Sequence, residues 1–256
     1  MKLKKDKYIG EVYENKYGTK FQVIDYFHNT KVTVKDLTHN CIIENLKIGN
    51  LKKGEVKSPY DRTIFGVGYL GIGEYYKTKN DICKKAYVEW NSMMTRCYSE
   101  KFHKIEVTYI NCEVCKEWHD FQNFAKWFEE NYYEIDGEIM TLDKDILTKG
   151  NKIYSPKNCV ICPQRLNTII LNRQNDRGKL PIGVCYHKSS GKYSARCSVG
   201  STERIWIGTY NSPEEAFIYY KKFKENYIKE VANNYKNKIP EKLYQALISY
   251  EISIDD

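Results

Sequence analysis

The stretch Thr141-Leu142-Asp143-Lys144-Asp145-Ile146, continuing through Gly150-Asn151-Lys152-Ile153-Tyr154-Ser155-Pro156-Lys157-Asn158-Cys159, decides how the middle of this chain is read. Residues 139–146 read as a strand, 147–157 as a loop turning at Gly150-Asn151, 158–162 as a short strand and 163–171 as a helix. That order is a ββα unit with a carboxylate at its first strand end. Phosphodiester cleavage needs a metal to stabilise developing charge and a base to activate water. Magnesium takes carboxylate and carbonyl oxygens and keeps several waters, so one Asp and one Asn can suffice. Asp143 and Asn158 are therefore the candidate ligands for Mg²⁺ or Mn²⁺, and Asn151 sits where it can pin the loop.

Upstream lie Trp90, Met93 and Arg96-Cys97-Tyr98, then Cys112-Glu113-Val114-Cys115-Lys116-Glu117-Trp118 and Phe121, Phe124 and Trp127. With these blocks, residues 86–170 resemble the HNH-like (ββα-metal) proteins of bacteriophages, often free-standing homing-type endonucleases. The resemblance implies a DNA endonuclease in which Asp143 binds metal, Asn151 is the loop Asn and Asn158 the last ligand. Lys144 departs from the family, whose general-base histidine belongs at that position. A lysine serves as a base only with a strongly depressed pKa. Two alternatives follow: Asp145 or a metal-bound hydroxide replaces the histidine, or the module holds DNA without cutting.

Cys112-x-x-Cys115 and Cys159-x-x-Cys162 flank this region with zinc-type spacing, and Cys97, His103, Cys115 and Cys159 form an alternative set for a structural Zn²⁺. Buried thiols packed as small apolar groups are the other reading. Nine cysteines without a secretion signal suit a reducing compartment.

The last third reads as three strands, Ile182–Tyr186, Lys192–Val199 and Arg204–Tyr210, and a helix opened by Ser212-Pro213-Glu214-Glu215, where Ser212 caps, Pro213 fits the first turn and Glu215 completes a capping box. Gly183-Val184, Gly191 to Arg196, Trp206 to Tyr210 and Ser212-x-Glu214-Glu215-Ala216 together resemble the sheet-plus-helix DNA-binding domain of the APETALA/ethylene-response type. That family reads the major groove with its sheet. By strand alternation Lys192, Ser194, Arg196 and Ser198 share one face. Arg204, Trp206 and His187 or Lys188 extend it, so Lys188, Lys192, Ser194, Arg196, Arg204 and Trp206 are the DNA-binding candidates. Residues 171–235 hold 11 Lys+Arg against 6 Asp+Glu, or +5, as phosphate attraction requires.

The N-terminal part is a small β module read from Phe21–Tyr26 and Lys31–Lys35. Residues 1–79 carry 15 Lys+Arg against 9 Asp+Glu (+6), whereas 80–170 carry 12 against 14 (−2). An acidic centre between basic flanks suits a site held on a polyanion by its neighbours. Gly66-Val67-Gly68-Tyr69-Leu70-Gly71 matches a dinucleotide fingerprint only formally, because no helix follows it. It reads as a linker or a close-packed turn.

The expected fold class is α+β, with a β-rich module over 1–65, a linker over 66–79, the HNH-like domain over 80–171, a linker over 172–180 and the sheet-plus-helix domain with a helical tail over 181–256. Double-stranded DNA is the expected partner. No apolar run of membrane length and no signal peptide occur, which places the chain in the cytoplasm, that of a host cell if phage-encoded. A catalytically inactive DNA-binding regulator, or a phage protein that binds a host defence nucleoprotein complex, are the alternatives to an endonuclease.

Overall fold

In the computed structural model, which describes residues 7–170, 180–200 and 203–255, the protein is α+β. It divides into two compact units, residues 1–130 and 131–256. The boundaries drawn above from composition do not coincide with this division, and residues 172–179 of the linker lie outside the described residues. Among the described residues, no helix is long and apolar enough to cross a membrane.

The first unit opens with a four-stranded antiparallel sheet in the order β1 (Val12–Glu14), β2 (Lys20–His28), β3 (Lys31–Asp36) and β4 (Cys41–Leu46). Only β2 and β3 follow from the β-branched and aromatic runs; β1 and β4 are too short and mixed to show in the sequence. Phe21, Val23, Tyr26, Val32 and Val34 point to one side and bury against Ile48 and Leu51 of the short helix α1 (Ile48–Lys52) and Val56. Polar bracing closes the module. Asp61 accepts from Thr19 Oγ1 (2.5 Å) and Asn15 Nδ2 (2.6 Å), while buried Asp36 accepts from Ser58 Oγ (2.6 Å) and His39 Nδ1 (2.9 Å). Burial works to raise the Asp36 carboxyl, but the hydrogen bonds from Ser58 and His39 outweigh it and hold it below the usual range.

Helix α2 (Asp81–Tyr98) starts where Asn80 caps Cys83 N at 2.8 Å. Its apolar stripe, Ala86, Trp90, Met93, Met94 and Cys97, is buried. After the single turn α3 (Glu100–His103) and β5 (Glu113–Val114) comes α4 (Phe121–Asn131). The core here is aromatic: Trp118 meets Phe124 edge-on at 5.0 Å and Trp127 at 4.7 Å, and Trp90 Nε1 donates to Trp118 O at 2.7 Å. The glycine-rich stretch is a close-packed turn from Gly68 to Gly73. A Cβ on Gly71 would lie 2.3 Å from Asp120 Oδ1, and Gln122 ties the turn down by donating to Leu70 O and Tyr75 O.

In the second unit, β6 (Met140–Asp143) pairs antiparallel with β8 (Val160–Pro163), and the chain runs directly into α5 (Gln164–Ile170); the two-residue strand β7 (Ile153–Tyr154) lies in the connection. A second antiparallel sheet follows in the order β11 (Arg204–Tyr210), β10 (Lys192–Ser198), β9 (Val184–His187). The long helix α6 (Pro213–Asn234) and the tail helix α7 (Glu241–Ile248) complete it. Ser212 Oγ caps Glu215 N at 3.1 Å, but Glu215 reaches back to Asn211 N rather than to Ser212, so the capping box is displaced by one residue. Val160, Cys162, Leu166 and Ile169 of the ββα unit share one core with Val184, Ala195 and Cys197 of the sheet and with Phe217, Tyr220, Val231 and Leu243. The ββα unit and the C-terminal sheet, read as separate in the sequence, thus share one core on the α6 side of the sheet.

Candidate nucleic-acid interface

Strand alternation and register divide the C-terminal sheet into two faces. Val184, Ala195 and Cys197 are buried beneath α6. The paired positions His187–Lys192, Cys185–Ser194, Ser194–Thr209, Arg196–Trp206 and Ser198–Arg204 fall on the opposite, outer face. A bulge between Ala195 and Arg196 inserts Ile207 and brings Arg196 level with Trp206. The guanidinium of Arg196 lies 4.8 Å from the centre of the Trp206 ring, a cation–π contact of about 0.5–1 kcal/mol at an exposed site. Trp206 is 51% exposed, and the His187 ring meets it at 5.9 Å. Lys188, Lys192 and Arg204 are exposed, and none of the residues on this face is acidic.

Ser194 corrects the expectation. Its position lies on the outer face, yet it is fully buried, with Oγ 2.7 Å from His187 Nε2. It braces the imidazole and is not presented to a ligand. His187, read from the sequence only as a possible extension, is the residue that Ser194 positions. Alternation alone does not reveal that a short side chain sinks beneath larger neighbours.

The ββα loop is organised differently. Asp143 is 7% exposed, and its Oδ1 accepts from Asp145 N (2.8 Å) and Ile146 N (2.7 Å), bending the chain out of β6. Burial, reinforced by the charge of Asp145, pushes the Asp143 carboxyl up to about 6. Lys144, also 7% exposed, donates to Asp145 Oδ2 at 2.8 Å, with its ammonium 5.8 Å from the Tyr154 ring centre. Asn151 Nδ2 bridges Lys144 O (2.7 Å) and Ile153 O (2.8 Å), and its Oδ1 accepts from Asn158 Nδ2 at 3.0 Å. Asn151 thus pins the loop as its turn position suggests, and it brings Asn158 into the same cluster. The five residues singled out in the sequence are neighbours in one hydrogen-bonded loop, and the side-chain bonds described here serve the loop itself.

No protein-family model, curated protein or solved structure matches this chain significantly.

For a divalent cation, the donor set is partly committed to the loop. Asp143 Oδ1 is taken by two backbone N–H groups, and the ammonium of Lys144 already sits against the neighbouring carboxylate. Among the described residues, no three His, Cys, Asp or Glu side chains gather as a metal centre. Cys112 and Cys115 belong to the first unit and Cys159 and Cys162 to the second; all but Cys115 are buried. In the alternative set, His103 Nε2 is bonded to Arg96 O at 2.8 Å and Cys97 lies in the buried stripe of α2.

Proposed function

We propose that this protein binds duplex DNA through the outer face of its C-terminal sheet and that the ββα unit over residues 140–170 acts chiefly as the scaffold behind that face. One observation carries the reading. Lys192, Arg196 and Arg204 stand with Trp206 on a sheet face without a carboxylate, opposite the helix that buries the other side. A β-ribbon such as β10–β11 enters the major groove, where an arginine pairs bidentately with guanine O6 and N7. Lys188 and Lys192 supply phosphate contacts, which fix register without reading sequence. Such a protein acts where DNA is exposed, in the cytoplasm of a bacterial host if phage-encoded.

Fluorescence anisotropy of labelled duplex DNA tests this. Affinity should fall steeply with salt, and Arg196→Ala with Arg204→Ala should weaken binding by at least about tenfold. Unchanged affinity in the double variant overturns the assignment of the face. Failure to bind duplex even at low salt moves the reading to a phage protein that engages a host nucleoprotein complex.

Metal-dependent cleavage is the second reading, favoured by the raised carboxyl of Asp143 beside Asp145 at the end of a ββα hairpin. Nicking of supercoiled plasmid in Mg²⁺ or Mn²⁺ that disappears in Asp143→Ala would establish it. Salt-sensitive binding without nicking in either metal leaves the scaffold reading standing.

A further inference from the structure

The N-terminal sheet has no part in the reading above, yet the tip of its β2–β3 hairpin carries a built aromatic platform. Tyr26 turns inward, packs on Tyr8 at 5.0 Å and is buried. The register shifts between Tyr26 and His28, and this irregularity throws Phe27 outward, where it is 76% exposed. Lys31 places its ammonium 5.4 Å from the Phe27 ring centre, and the His28 ring meets that ring edge-on at 5.3 Å.

The platform is held from beneath. Tyr26 OH donates to Asn29 Oδ1 (2.6 Å), Thr30 Oγ1 lies 3.0 Å from His28 Nδ1, and Ile48 N donates to Asn29 O (2.9 Å). The last bond draws exposed Lys47 toward the tip. Asp25 is the only acidic residue in β2. A single exposed apolar side chain needs no explanation. A preorganised ring flanked by Lys31 and His28, in a segment with net charge +6 (15 Lys+Arg against 9 Asp+Glu over 1–79), has the chemistry of a stacking site for a nucleobase with phosphate contacts beside it.

We propose that Phe27, with His28 and Lys31 around it, binds unpaired DNA by stacking on an exposed base. A paired base offers its face only to its stacked neighbours, so the platform selects single-stranded over duplex DNA. This site is independent of the sheet over residues 184–210.

The test is anisotropy of a labelled oligothymidylate against the full chain, with circular dichroism confirming the fold of each variant. Phe27→Ala should weaken oligothymidylate binding by about tenfold, and Phe27→Trp should restore it. Duplex affinity should change by less than about twofold in Phe27→Ala. No oligothymidylate binding at low salt, unchanged affinity in Phe27→Ala, or a loss that follows Arg196→Ala with Arg204→Ala instead, would each overturn the proposal. The last two variants separate its failure from failure of the duplex-binding reading.

Discussion

Replacing Asp143 with asparagine should make the protein more stable at neutral pH, and the gain should vanish in acid. Asp143 is nearly buried, and its carboxyl rises from the ordinary 3.8 to about 6 because burial, and then the charge of Asp145, disfavour ionisation. The native state therefore binds a proton more tightly than the unfolded chain. Between pH 3.8 and about 6 the unfolded chain gives up that proton first, so stability falls as pH rises through this window and stays low above it. At about 1.4 kcal/mol per unit, the ionised carboxylate costs at most about 3 kcal/mol at pH 7.5. Asn keeps an oxygen for Asp145 N and Ile146 N but carries no charge, so a gain of about 1–3 kcal/mol is expected, or a few degrees in Tm. Asp143→Ala should go the other way, because it strands two backbone donors that Asp143 now satisfies, at about 1–3 kcal/mol for each. Urea denaturation followed by circular dichroism at pH 4, 5.5 and 7.5 measures both. A destabilised Asp143→Asn at pH 7.5, or a gain that does not shrink toward pH 4, refutes the reasoning.

Two further outcomes follow from local geometry. Gly183 has φ +77 and a Cβ there would lie 2.1 Å from the Tyr220 ring, so Gly183→Ala should cost about 3 kcal/mol or more in thermal unfolding, by separating β9 from α6; a loss below about 1 kcal/mol would mean that the ring moves aside freely. Ser212→Ala removes the cap on α6 and should cost about 1 kcal/mol in the same assay without altering DNA affinity.

The long elements were legible because their patterns are strong. The stripe from Ala86 to Cys97 after Asn80, and Ser212-Pro213 before the α6 repeat, specify helices by spacing and capping alone. The ββα hairpin was legible from its strand–turn–strand–helix order. What the sequence hid is set by non-local packing. Val160, Leu166 and Ala195 fall in modules that the sequence separates, and only the fold shows that one core takes them all. Asp143 and Lys144 show the same limit at the site. Their types suggest exposed chemistry, whereas both are buried and bonded to Asp145. The stretch 66–73 was open between a linker and a close-packed turn, and Gly68, Gly71 and Gly73 prove packed because Trp90, Asp120 and Gln122 leave no space for side chains there.

Which surface touches duplex DNA decides the function, and lysine-reactivity footprinting by mass spectrometry shows it. With saturating duplex, Lys188 and Lys192 beside the outer sheet face should be protected from acylation, while Lys222 and Lys229, exposed on α6 behind the sheet, should react as in the free protein. Protection of the α6 lysines with Lys188 and Lys192 unchanged would contradict the account.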